Sequence, residues 1–274
     1  FYASRFFRIW PLYVFCAAAA SFTYATLSID FHGFTIDNLA LLGVATNGHD
    51  PLGVAWSLDI ELQFYFATPL IAGFVMWVKR LEYGSAIGVL VVCFLCLVGF
   101  WLQTRFGVWT VFLFAPAFAA GYALQLAPKV RSRTAFASLI AFLFCGVCVL
   151  ALAESRGLLM KTIPTPIHPD VFAMGWALML TPFIAYNVQQ RSGNFDRRLG
   201  DFSYPLYLVH FPVIVVMGGM GLLDTWAGKA AAFICAIILS LGAFRWLDQP
   251  LERLRRRWFE QKTESKLSVR PVAP

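Results

Sequence analysis

Long apolar runs separated by short polar and basic stretches dominate the chain. A helix needs about 20 mostly apolar residues to cross a bilayer. A window of that length finds about eight such runs, at 9–28, 56–78, 84–103, 108–127, 134–153, 170–188, 203–223 and 226–247. The pattern predicts an all-α fold, a polytopic transmembrane helix bundle filling residues 1–258. The first two runs are separated by a longer segment, 29–55, carrying Asp30, His32, Asp37, His49 and Asp50. Its apolar stretch at 39–44 is too short to span, so the segment is expected to lie outside the membrane, with a re-entrant or surface turn. Beyond Trp258 the chain turns polar, with Pro271 and Pro274, and 259–274 is expected to be a disordered tail.

Composition supports the membrane reading. The 274 residues are 59% hydrophobic and 14% charged, whereas soluble domains run nearer half apolar and a quarter charged. The net charge of +7 does not point to nucleic acid, because the basic residues sit in short clusters between apolar runs, with no basic face bearing exposed aromatics. Their placement reports topology instead. If the N-terminus is cytoplasmic, every basic residue except Arg105, Arg156, Lys161 and Lys229 falls on the inner side, the asymmetry that positive-inside sorting produces. An even number of spans then returns the C-terminus to the cytoplasm. The cluster Arg253, Arg255, Arg256 and Arg257 beside Trp258 reads as a helix end held to anionic headgroups.

The six cysteines include two C-x-x-C pairs, Cys93/Cys96 and Cys145/Cys148. Both lie in apolar runs without neighbouring His, Asp or Lys, so they read as buried small hydrophobes rather than redox or zinc sites. No His/Asp/Glu cluster has metal-ligand spacing, and neither a metal nor a tightly bound cofactor is expected. The first residues, Phe1 to Arg8, are aromatic and basic like the flank of a span rather than a leader, and the N-terminus reads as an interior cut.

Three stretches carry candidate chemistry. In Trp56-Ser-Leu-Asp-Ile-Glu-Leu-Gln-Phe-Tyr65, Ser57, Glu61 and Tyr65 fall at i, i+4 and i+8 on one helix face, and Asp59 points away from it. An intramembrane acid is costly and marks function by default. Glu61 can serve a site or a structural hydrogen bond, while Asp59 suits the positive end of its own helix dipole. With the cytoplasmic N-terminus, this motif falls at the outer end of the second span. Arg5 and Arg8, i and i+3 at the start of the first span, suit bidentate phosphate binding or plain anchoring. Tyr204, Tyr207 and His210 form a polar stripe in the seventh run, His210 being either a core histidine or a functional one.

Together these stretches resemble acyltransferase family 3, integral-membrane acyltransferases that O-acylate bacterial surface polysaccharides and some small molecules. The matching residues are Arg5-Phe-Phe-Arg8-Ile9 with Pro11 and Tyr13, Trp56-Ser57-Leu58 with Glu61 and Gln63-Phe64-Tyr65, and Ser203-Tyr204 with Leu206-Tyr207-Leu208 and His210. Gln249-Pro-Leu-Glu252 matches more weakly. A second Glu usual in the family is Leu62 here. The resemblance implies transfer of an acyl group, most often acetyl, from acyl-CoA to a carbohydrate hydroxyl at the bacterial inner membrane. It implies Arg5 and Arg8 on the donor phosphates, with Trp56, Ser57, Tyr65, Tyr204 and Tyr207 binding substrate. Glu61 and His210 are expected to support catalysis. Family members usually have ten spans, with the catalytic histidine on the first; this chain begins where the third would, so activity of the chain alone is not expected. The rival reading is an inactive remnant, a transporter or a partner subunit without catalysis.

Overall fold

The computed structural model describes residues 2–41, 43–126, 128–151 and 169–268. Arg156, Lys161 and the last residues of the expected tail lie outside them. The described residues are helical, without strands. The helices are α1 (Tyr2–Thr26), α2 (Ile36–Ala40), α3 (Val44–Asn47), α4 (Trp56–Val78), α5 (Gly84–Phe106), α6 (Ala115–Leu126) and α7 (Ser132–Ala151). They continue with α8 (Pro169–Leu178), α9 (Thr181–Val188), α10 (Asn194–Gly219), α11 (Trp226–Ala243) and α12 (Gln249–Ser268). A π-helical stretch, Phe244–Asp248, joins α11 to α12, so that Trp226–Trp258 is one continuous rod. The helix α12 takes in the first part of the segment expected to be a tail.

Among the described residues, six helices are long and apolar enough to cross a membrane. Two expected spans take other forms. The run at 108–127 yields only the shorter α6, preceded by a turn at 111–114. The run at 170–188 breaks into α8 and α9, because Pro182 has no N–H to donate to Leu178 and its ring crowds that carbonyl.

The chain divides into two compact units, one of residues 1–70 and 194–274 and the other of residues 71–193. In the second unit Gly99 lies against the backbone of Phe112 and Leu113, where an added Cβ would fall 2.2 Å from the Leu113 nitrogen. Trp176 stacks on Phe142 at 4.7 Å between centroids and donates its indole N–H to the Phe142 carbonyl at 3.0 Å. Cys93 is exposed and Cys96, Cys145 and Cys148 are half-buried, so the C-x-x-C pairs are not buried within the protein.

The core of the first unit is made by α1, the segment 29–55, the start of α4, and α10. The segment 29–55 is re-entrant in the sense that it folds back among these helices, as a loop with a re-entrant turn would, rather than standing clear of them. Leu41, Val44, Leu52 and Ala55 are buried among Leu12, Tyr13, Ala17 and Leu208. The Trp10 indole donates to the Leu39 carbonyl at 2.6 Å, far back along α1 from the point where the chain left it. The short apolar run at 39–44 is too short for a hydropathy window but long enough for two helical turns to bury. Left-handed residues make its bends possible, including Gly53 at φ +68°, where any Cβ would strike the Phe211 ring.

Candidate active site

Three buried polar side chains hold the re-entrant segment. Asn38, 1% exposed, accepts from the Thr35 N–H at 2.7 Å and donates to the His49 carbonyl at 2.9 Å. Asp59, 0% exposed, accepts the Ala45 N–H at 2.9 Å and the Gln63 amide at 3.1 Å. Its carboxylate thus serves the first turn of α3 rather than only its own helix dipole. Asp50 accepts the N–H of Leu52 at 2.9 Å, in the turn that precedes α4, and of Trp56 at 3.2 Å, an orphan donor at the start of α4. The Asp-Pro pair at 50–51 was a legible turn signal for this role.

Burial pushes the Asp50 carboxyl above its ordinary value, opposed by the backbone N–H groups it accepts. A raised folded-state pKa means the native state binds the proton more tightly than the unfolded chain. The associated stability is fully present below the unfolded value and is lost as pH rises through the folded one. Thermal unfolding in detergent is expected to show falling stability across that acidic window, with a flatter profile in Asp50→Asn; an identical slope in both proteins would refute the assignment.

Ser57 Oγ lies 2.6 Å from the Tyr207 hydroxyl, and Tyr207 sits midway along α10. The start of α4 is therefore deep in the unit. Tyr207 also donates to the Val54 carbonyl. Since a carbonyl only accepts, the single phenolic proton is committed there and Ser57 must be the donor to Tyr207. Ser57 thus has its own proton directed at a phenol rather than at a base, a poor arrangement for a nucleophilic serine. Tyr204 donates to the Ile9 carbonyl of α1 at 2.7 Å, fastening α10 to α1.

One turn from Ser57, Glu61 is half-buried and accepts the Tyr65 hydroxyl through Oε1. No hydrogen bond to Glu61 Oε2 is made among the described residues. The Arg5 guanidinium lies over the Tyr65 ring, 5.3 Å from its centroid, a cation–π arrangement. Arginine, phenol and carboxylate therefore form one line, where the sequence placed the arginine and the acid at opposite membrane faces. Arg5 and Tyr65 also border a cavity of about 300 Å³ whose walls are otherwise apolar, including Phe6, Leu41, Leu58 and Leu62. Arg8 is exposed and does not line that cavity, and its charge acts on both Tyr65 and Asp248.

His210 places Nδ1 2.8 Å from the Tyr207 carbonyl and 3.1 Å from that of Leu206. Carbonyls cannot donate, so Nδ1 carries the hydrogen and, in the neutral ring, Nε2 holds the lone pair. Its ring centroid is 6.0 Å from that of Tyr207. Of the expected site residues, then, Arg5, Tyr65 and Glu61 meet directly, and Ser57 meets Tyr207. His210 adjoins this second pair, Tyr204 braces α1, and Trp56 enters through its backbone N–H to Asp50. Sequence reasoning missed the scaffolding acids Asp50 and Asp59. Among the described residues no group of three His, Cys, Asp or Glu could hold a metal.

Apolar helices of this number and length define a multi-pass membrane protein. Its family is acyltransferase family 3, to which the chain belongs: the model described as "Acyltransferase domain" matches residues 1–245. No curated protein and no solved structure matches the chain. The protein is a membrane acyltransferase in class.

Proposed function

We propose that the protein transfers an acyl group, most often acetyl, from acyl-CoA to a carbohydrate hydroxyl of a surface polysaccharide or glycolipid precursor, at the bacterial inner membrane. The observation that carries this reading is the Arg5–Tyr65–Glu61 line at the edge of an apolar cavity. A thioester donor combines anionic phosphates with an apolar acyl end, and a cation bordering an apolar chamber suits such a molecule.

In the reaction the acceptor oxygen attacks the thioester carbonyl, forming the C–O bond. The C–S bond then breaks, CoA leaves as the thiolate, and the hydroxyl proton passes to Glu61 Oε2. Glu61 Oε2 accepts the hydrogen bond that orients the hydroxyl, while Tyr65 fixes the carboxylate through Oε1. Arg5 provides the positive charge that an acid within a span needs nearby and meets a donor phosphate. His210 Nε2 and Arg8 have supporting roles, the first as a further hydrogen-bond acceptor beside Tyr207 and the second as an outer phosphate contact. Transfer is direct, without an acyl-serine, because the Ser57 proton is directed at Tyr207.

Purified full-length protein supplied with acetyl-CoA and a glycan acceptor is expected to release CoA thiol only when the acceptor is present. Arg5→Gln should raise KM for the donor about tenfold, the scale of one charge-assisted contact, with a smaller change in kcat. Absence of acceptor-dependent thiol release with short-chain thioesters would overturn the proposal.

A further inference from the structure

A second cavity of about 900 Å³ runs between α1, α10 and α11, away from the Arg5–Tyr65–Glu61 line. It is held open by small side chains, Ala19 and Ala20 on α1 and Gly242 on α11, and Pro212 and Val216 of α10 form the facing wall. The one charged residue at its border is Arg245. Arg245 lies in the π-helical stretch, where the Gln249 N–H reaches back five residues to the Phe244 carbonyl, and such bulges often re-aim side chains at sites. Arg245 is exposed and makes no hydrogen bond or ion pair among the described residues.

The depth of Arg245 can be read from the rod itself. Trp226 begins it at 86% exposed, and Trp246, 76% exposed, follows Arg245. At about 1.5 Å per residue, Arg245 lies about 28 Å along the helix from Trp226, close to the roughly 30 Å of bilayer hydrocarbon. Exposed tryptophans at these two levels match the aromatic belts of a span. Arg245 thus stands at headgroup level at the end of a groove whose other walls are apolar.

We propose that this groove binds one anionic phospholipid, its phosphate on Arg245 and its acyl chains along the Ala19–Ala20 and Gly242 channel. A cation at one end and hydrocarbon walls along the rest match the charge and shape of that molecule. The lipid comes from the surrounding leaflet and is neither donor nor acceptor in the transfer reaction.

Native mass spectrometry of the full-length protein titrated with phosphatidylglycerol, or with phosphatidylcholine of the same chains, tests this. One phosphatidylglycerol should be retained about fivefold or more tightly than phosphatidylcholine, the scale of one arginine at an anionic headgroup. Arg245→Gln should remove that preference and Arg245→Lys should keep most of it. Ala19→Phe, at an exposed position, should weaken both lipids by filling the channel. Equal retention of the two lipids by the wild type, a preference that survives Arg245→Gln, or no effect of Ala19→Phe would each mean annular lipid only and overturn the proposal.

Discussion

Glu61→Gln is expected to lower kcat for acyl transfer by about 10²- to 10⁴-fold, the range in which a positioned proton-transfer group contributes, while the protein still inserts and folds. Glutamine retains an acceptor oxygen for the Tyr65 hydroxyl, so the hydrogen bond that ties one turn of α4 to the next survives. What disappears is the capacity of the second carboxylate oxygen to take a proton. A purely structural Glu61 would tolerate this change, and an unchanged kcat would exclude the proposed role. The donor KM should stay close to wild type, because Arg5 reaches the Tyr65 ring face rather than the carboxylate. Tyr65→Phe gives the complementary measurement: it leaves the acid in place but frees its orientation, and should produce a smaller loss than Glu61→Gln.

Much of the fold and part of the site could be read from residue order. Long apolar runs announce helices because backbone groups in hydrocarbon must be satisfied within the segment, and helical spacing placed Ser57, Glu61 and Tyr65 on one face, two of which hydrogen-bond directly. Tertiary contact is what spacing does not encode. That Arg5 would lie over Tyr65 depends on how far the re-entrant segment carries the start of α4 into the unit. That depth in turn rests on buried partners such as Asn38 with His49. The helices α2 and α3 are each about one turn and carry too little periodicity to register. The break between α8 and α9 was legible in Pro182, but within a continuous apolar run hydropathy outweighs a single proline. Asp59 was harder still, since nothing in the sequence near it names Ala45 as its partner.

Asp59→Ala is the change expected to damage the scaffold most. The side chain is wholly buried and accepts two hydrogen bonds, one from a backbone N–H that has no intrahelical partner at the start of α3. Removing it leaves the Ala45 N–H and the Gln63 amide unsatisfied in an apolar setting, at about 1–3 kcal/mol for each stranded group, and opens a cavity beside Leu58 and Ile60. The expected total is about 2–5 kcal/mol, read as a lower unfolding temperature in detergent and faster proteolysis within 29–55. Asp59→Asn keeps one acceptor oxygen and should recover part of that stability, provided the amide oxygen turns toward Ala45. Any loss of transfer in these variants should follow the folded fraction, since Asp59 does not face the cavity beside Arg5. Stability equal to wild type in Asp59→Ala would mean that the acid does not anchor the re-entrant segment. A kcat loss per folded molecule matching that of Glu61→Gln would move Asp59 from scaffold to chemistry.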